Sequence, residues 1–189
     1  MRDFLHLDAA ACLLGALLLL VLPLQWLLAA LTAAAFHELC HFLAVRLVGG
    51  RVLDVRIGSG GAVMQTLPMS RGREWLCALA GPVGSLILVS LCRVFPRVAF
   101  CALVQAVYNL LPVFPLDGGR ALRCALERWI PKWADEICCW VEIGTLTALG
   151  AAALIVSFWL HMGIWPLIAF LLLAVRRNRT CKLRRFGVQ

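Results

Sequence analysis

Residues 25–48 read QWLLAALTAAAFHELCHFLAVRLV, and this stretch decides the fold. It is long enough to span a membrane, because about 20 apolar residues in a helix cross a bilayer. His37, Glu38 and His41 stand inside it, where ionisable side chains are costly and usually functional. Outside this stretch the pattern continues, since 62% of the 189 residues are hydrophobic and only 15% are charged. That composition excludes a water-soluble domain and intrinsic disorder.

The apolar runs predict an all-α polytopic membrane protein whose core covers residues 1–175. Six transmembrane helices are expected near residues 4–22, 25–48, 75–92, 98–115, 138–160 and 164–175. A secretory signal peptide that ends near Ala35 is the alternative interpretation of the first run. Asp3 and Asp8 disfavour it, because signal peptides begin with a basic segment.

The segment 51–67, between the second and third spans, has a different pattern. Leu53, Val55 and Ile57 alternate with polar residues, and a glycine-rich stretch follows. This period of two predicts a small β-hairpin at the membrane edge. A strand with a free edge can bind an extended peptide by strand addition. We therefore expect residues 53–57 to bind an unwound substrate, the alternative being that 51–67 is only a cytoplasmic cover.

The basic residues are distributed unequally between the predicted loops. Of the 18 Lys and Arg residues, 16 fall on the side that carries both termini, and only Arg93 and Arg97 fall on the other. Because cytoplasmic loops are enriched in Lys and Arg, both termini are predicted to be cytoplasmic. The net charge of +8 comes largely from the tail 176–189. A basic tail after an apolar span is typical of contact with lipid headgroups, so the bilayer is the expected partner and nucleic acid is not.

Residues 37–41 contain the pattern H-E-x-x-H. Positions four apart share one face of a helix, so His37 and His41 can bind one metal ion. Glu38 is the adjacent residue and can accept a proton from a water on that metal. A structural His–Glu pair between helices is the alternative, but three ionisable residues within five positions of an apolar span favour a metal site.

A catalytic zinc normally has three protein ligands, so two histidines leave the site incomplete. The ionisable residues close enough to the membrane to supply the third are His6, Asp8, Asp117, Glu142 and His161. Asp117 and Glu142 fall on the predicted cytoplasmic side, at the depth of the two histidines. An N-cap for the following helix is the alternative role of Asp117.

Two motifs together resemble the site-2 protease family of intramembrane zinc metalloproteases. The first is H-E-L-C-H at residues 37–41, and the second is N-L-L-P-V-F-P-L-D-G-G at residues 109–119. The resemblance covers about residues 9–175. The form of the second motif and the short chain are most similar to the sporulation-type branch, which processes a membrane-tethered sigma-factor precursor in bacteria.

The resemblance implies a set of roles. His37, His41 and Asp117 are expected to hold one Zn²⁺ ion, with Glu38 as the catalytic base. Asn109 is expected to bind substrate, either by orienting the peptide or by stabilising the oxyanion, although an interhelical hydrogen bond is the alternative. The implied protein is a multi-pass bacterial membrane protease. Its expected partners are a membrane-tethered protein substrate and a regulatory membrane protein.

The sequence departs from the family pattern in two places. Members often carry Asn shortly after the Gly-Pro of the third span, whereas Ser85 stands near that place here. We expect this difference to affect packing more than chemistry. The chain also shows no PDZ or CBS module, which bears on regulation and substrate selection.

Two further functions are consistent with buried His, Glu and Asp residues. A transporter or metal-binding protein predicts ionisable residues on several spans and on both sides of the midplane, whereas those found here cluster near one depth. An inactive scaffold of the same family predicts the loss of a ligand or of Glu38, yet all four residues are present. The sequence therefore favours an enzyme that hydrolyses a peptide bond in or near a transmembrane segment.

Overall fold

A computed structural model describes residues 5–7, 22–58, 61–159, 163–164, 166–168, 170–175 and 177 of the chain. The chain divides into two compact units, Met1–Asn109 and Leu110–Gln189. The described residues are mostly helical, and the helices are numbered α1 to α5 below in chain order.

Helix α1 runs from Leu24 to Leu47 and contains the H-E-x-x-H motif. It begins directly after Pro23, which cannot donate a backbone hydrogen bond and is tolerated at a helix start. It ends where the N–H groups of Gly49 and Gly50 donate to the carbonyls of Arg46 and Val45. This pair of bonds is a Schellman motif, and Gly49 adopts the positive φ of 77° that the motif requires.

Helices α2 (Arg71–Val89) and α3 (Pro96–Asn109) pack against α1 and against each other within the first unit. The buried positions of the three helices are filled mostly by small residues. Small side chains allow helix backbones to approach closely, which is the main source of helix association in a bilayer. The most informative of these close contacts is at Gly84, where an added Cβ would overlap the Cys40 side chain of α1.

A three-stranded sheet completes the first unit. Strand β2 (Val52–Gly58) pairs antiparallel with β3 (Gly61–Thr66), which confirms the predicted hairpin. Strand β1 (Leu5–Leu7) pairs in parallel with the Val55–Ile57 part of β2. The register shifts between Val52 and Asp54, so Leu53 forms an irregularity of the bulge type.

The sheet corrects two sequence-based expectations. Residues 5–7 were expected to begin a helical span over 4–22, but their backbone pairs with β2, and 8–21 lie outside the described residues. Residues 53–57 were expected to present a free edge to substrate. In the described sheet β2 is the central strand, and β1 covers the part of the expected edge at Val55–Ile57, so β1 and β3 form the edges of the sheet.

The second unit contains α4 (Asp117–Trp129) and α5 (Ala134–Phe158), which pack against each other. Arg123 of α4 bonds Glu127 at 2.6 Å and Asp135 of α5 at 2.7 Å. A buried apolar cluster lies beneath the bend that precedes α4. Its members are Val113, Leu116 and Leu173, with Leu111, Leu146 and Leu149 packed against them.

Three of the described helices are long and apolar enough to cross a membrane. They are Leu24–Leu47, Arg71–Val89 and Ala134–Phe158. The predicted span 98–115 corresponds to the 14-residue α3, which ends at Asn109 because Pro112 and Pro115 follow. A helix of that length rises only about 21 Å, less than the ~30 Å apolar thickness of a bilayer. The count of six spans stays a prediction.

Candidate metal centre

The first two residues of the site lie one turn apart on α1. His37 is buried, with 2% of its surface exposed, and His41 is partly buried. Their Nε2 atoms lie 3.2 Å from each other, and the two ring planes are nearly perpendicular, at 81°. The predicted convergence of the two imidazoles on one point is therefore present in the structure.

Helix α2 holds both rings by their other nitrogen. His41 Nδ1 lies 2.7 Å from the carbonyl oxygen of Cys77, and His37 Nδ1 lies 2.9 Å from the Ser85 hydroxyl oxygen. A carbonyl oxygen can only accept, so His41 Nδ1 carries the proton and donates it. The neutral ring then has a lone pair on Nε2, the state that a metal ligand needs. Metal-binding histidines usually donate their second N–H to such an acceptor.

Gly81 provides the space that the two rings occupy. A Cβ atom at this position would overlap His41 Nε2 and would lie 2.7 Å from His37 Nε2. Any larger residue would therefore project into the point where the two ring nitrogens converge. Only glycine leaves room for the two rings at this position, because it has no Cβ atom to clash with them.

The three contacts on α2 follow a helical repeat. Cys77, Gly81 and Ser85 are four residues apart, so they share one face of α2. Cys77 contacts His41, Ser85 contacts His37, and Gly81 lies next to both rings. Ser85 was expected to affect packing more than chemistry, and the structure places its hydroxyl in hydrogen-bond contact with a ring of the site. The sequence signal that could have indicated these contacts is the repeat of small residues four positions apart in the span that follows H-E-x-x-H.

Glu38 and Asn109 are the two other predicted residues in the first unit. Glu38 is partly buried and follows His37 on α1. Asn109 is the last residue of α3, and its Nδ2 atom lies 3.4 Å from His37 Nε2. The structure therefore brings Asn109 to the Nε2 side of His37, the side that also faces His41.

The geometry of the imidazole pair fits a zinc ion. With a Zn–N distance of about 2.0–2.1 Å and tetrahedral angles, two nitrogen ligands lie about 3.3–3.4 Å apart. The observed Nε2–Nε2 separation is 3.2 Å. If His37 donates from Nδ1 as His41 does, both Nε2 atoms present lone pairs to each other. Two such lone pairs repel one another, and a cation bound by both removes that repulsion.

Asp117 lies in the second unit as the first residue of α4, and 8% of its surface is exposed. The two glycines that follow it fit directly against the bend before the helix. A Cβ on Gly118 would overlap the Leu110 carbonyl, and one on Gly119 would lie 2.6 Å from Phe114 N. The D-G-G sequence therefore fixes the main chain next to the carboxylate.

Glu142, the other candidate for the third ligand on the predicted cytoplasmic side, has contacts of its own in the second unit. Its Oε1 accepts a hydrogen bond from the backbone N–H of Phe114 at 3.2 Å. Its Oε2 faces Arg177 Nε at 3.4 Å. Both oxygens thus bind groups of this unit, and one of them supports the bend that leads to Asp117.

The remaining candidates for a third ligand are not described at the level of side chains. His6 lies in β1, where the structure describes the backbone pairing alone. Asp8 and His161 lie outside the described residues.

Two histidines and a glutamate on one apolar helix, in the pattern H-E-x-x-H, are the type of centre that a membrane-embedded metallopeptidase uses. The model of the Peptidase M50B-like family matches residues 10–116, and the chain belongs to this family. The fold is similar to that of the site-2 protease from Methanocaldococcus jannaschii, with a TM-score of 0.66 and 18% sequence identity. That match covers 95% of this chain and 92% of the other. No curated protein sequence matches significantly.

Family membership, the shared fold and the apolar helices together support an integral membrane protein of the metalloprotease class.

Proposed function

We propose that this protein is an intramembrane zinc metalloprotease that cleaves a membrane-tethered protein in or near its transmembrane segment. The observation that carries the proposal is the pair of imidazoles on α1. Their Nε2 atoms are 3.2 Å apart, and their Nδ1 atoms are anchored on α2. A hydrogen bond between the two rings would give the same separation, but the H-E-x-x-H pattern and the anchoring of both Nδ1 atoms favour a metal site.

His37 and His41 would hold the ion, and Asp117 is proposed as the third ligand. The support for Asp117 is its place in the N-x-x-P-x-x-P-L-D-G-G motif, its burial and the rigid backbone that the following glycines impose. A carboxylate also offsets part of the charge of a divalent cation, which two neutral imidazoles cannot do. When bound, Zn²⁺ supplies Lewis acidity that polarises a peptide carbonyl and lowers the pKa of a water to about 7.

Glu38 performs the proton transfers of the proposed reaction. Its carboxylate accepts a proton from the attacking water and then delivers it to the amide nitrogen that leaves. One carboxylate beside His37 on α1 can serve both transfers, because it is protonated by the first and deprotonated by the second. Asn109 donates its amide hydrogen to the substrate, on the side of His37 where its Nδ2 already lies.

The substrate is proposed to be a membrane-anchored regulator, such as a sigma-factor precursor. A helical substrate hides its carbonyls in hydrogen bonds to the residue four positions along, so it has to unwind before cleavage. Good substrates should therefore carry helix-weakening residues such as Gly or Pro near the cut. Both termini of the protease are proposed to be cytoplasmic, in a bacterial cell membrane.

The ligand set is tested with one pair of isosteric variants, Asp117→Asn and Glu142→Gln. Each removes one carboxylate charge and keeps the size of the side chain. Zinc content of the purified proteins should fall in Asp117→Asn and stay near one ion per chain in Glu142→Gln. The opposite pattern would assign the third ligand to Glu142 and reject Asp117.

A further inference from the structure

Ser85 is a buried polar side chain that directly contacts a residue of the proposed metal site. No part of its surface is exposed, and its hydroxyl oxygen lies 2.9 Å from Nδ1 of His37. His37 is itself 2% exposed. Because both groups are buried, solvent water is a poor substitute for either partner, and the loss of one leaves the other unsatisfied.

The direction of this hydrogen bond decides which nitrogen of His37 is available. A serine hydroxyl can donate or accept, unlike the Cys77 carbonyl that holds His41. If the hydroxyl donates, the ring proton sits on Nε2 and blocks metal binding. Without a cation, His37 Nε2 can donate its proton to the lone pair of His41 Nε2, 3.2 Å away, and the Ser85 hydroxyl then donates to Nδ1. A cation held by both Nε2 atoms would displace that proton to Nδ1, and Ser85 would then be the acceptor.

We propose that Ser85 is a positioning residue of the metal centre: when the ion is bound, its hydroxyl accepts the Nδ1 proton of His37 and holds the ring with Nε2 aimed at the ion. The inference rests on the proposed function and extends it, because it gives α2 a defined role in zinc affinity. Cys77 and Ser85 hold one ring each, and Gly81 between them leaves the space that both rings need. The orientation of the ligands thus depends on one face of α2.

The test compares Ser85→Ala, Ser85→Thr and the control Ser90→Ala. Ser90 is the C-cap residue of the same helix and bonds the Ile87 carbonyl, so its loss removes a hydroxyl without touching a histidine. Zn²⁺ affinity is measured by competition with a chromophoric chelator. Ser85→Ala should bind zinc about 10–100-fold more weakly, the usual effect of losing a partner of a ligand. Ser85→Thr keeps the hydroxyl and should recover most of the affinity, while Ser90→Ala should match the wild type.

A second measurement reports the hydrogen bond itself. In the ¹⁵N spectrum of histidine-labelled, zinc-loaded wild-type protein, the His37 proton should lie on Nδ1 and exchange slowly with water, because Ser85 accepts it. In Ser85→Ala that proton should exchange faster, while in Ser90→Ala it should not change. Equal exchange rates in the wild type and in Ser85→Ala overturn the inference, and so does wild-type zinc affinity in Ser85→Ala.

His37→Ala separates this inference from the proposed function. If His37→Ala loses zinc while Ser85→Ala keeps wild-type affinity, the role of Ser85 is rejected and the metal site stands. If His37→Ala also keeps wild-type affinity, the proposed metal site itself fails, and the role of Ser85 fails with it.

Discussion

Replacement of Gly81 by alanine tests the geometry of the centre, because it adds a single methyl group next to the two rings. The new Cβ would overlap His41 Nε2 and lie 2.7 Å from His37 Nε2. Ordinary contact begins at 3.4 Å, so His37 has to move by about 0.7 Å, which exceeds the ~0.5 Å tolerance of a functional site. The rings cannot swing aside easily, because Cys77 and Ser85 on the same helix hold their Nδ1 atoms.

The expected result for Gly81→Ala is a loss of both affinity and stability. Disturbing the orientation of metal ligands usually costs about 10–100-fold in metal affinity, so zinc affinity should fall by roughly that factor. Overpacking between α1 and α2 should cost about 1–3 kcal/mol in the free energy of unfolding. Zinc affinity by chelator competition and thermal unfolding in detergent measure the two effects separately.

Two other glycines provide matched controls for this experiment. A Cβ added at Gly144 of α5 would have no heavy atom within 4 Å, so Gly144→Ala should be neutral or stabilising by about 0.4–1 kcal/mol. Gly84→Ala would overlap the Cys40 side chain, so stability should fall more than zinc affinity. Wild-type zinc affinity in Gly81→Ala would refute the reasoning, because the ring nitrogens would then not converge next to this residue.

Two further predictions address the second unit and the membrane topology. Gly118→Ala would place a methyl against the Leu110 carbonyl, and backbone yields less than a flexible side chain, so thermal stability should fall by about 1–3 kcal/mol relative to Gly144→Ala. Equal stability of the two variants would show that the bend before α4 is not tightly packed. Reporter fusions after Val175 should read as cytoplasmic and fusions at Phe95 as external, because 16 of the 18 basic residues lie on the predicted inner side. A cytoplasmic signal at Phe95 would contradict the six-span topology.

The parts of the molecule that local pattern controls were predictable from the sequence. The helical repeat places His37 and His41 on one face of α1, and the alternation in 53–57 predicted the hairpin of β2 and β3. The prolines at 112 and 115 explain why α3 ends at Asn109, although the predicted span continued to 115.

The parts that depend on contacts distant in sequence were not predictable in the same way. Strand β1 lies in an otherwise apolar run, and only its pairing with β2, about 50 residues later, makes it a strand. This pairing also covers the Val55–Ile57 part of the edge that was expected to bind substrate. The contact between Ser85 and His37 joins residues 48 positions apart, so the helical repeat of α2 indicates its exposed and buried faces but not its partner.

The central claim, peptide hydrolysis with Glu38 as the base, is tested most directly by one cleavage measurement. Purified wild-type protein and Glu38→Gln are reconstituted in liposomes with a membrane-tethered substrate, and zinc content and cleavage rate are measured on the same samples. Glutamine has nearly the same size and leaves the proposed ligands in place, so both proteins should hold one zinc ion. Cleavage should fall by at least about 10²–10⁴-fold in the variant, the usual contribution of a general base. Equal cleavage rates in the two proteins, with zinc retained, would contradict the account.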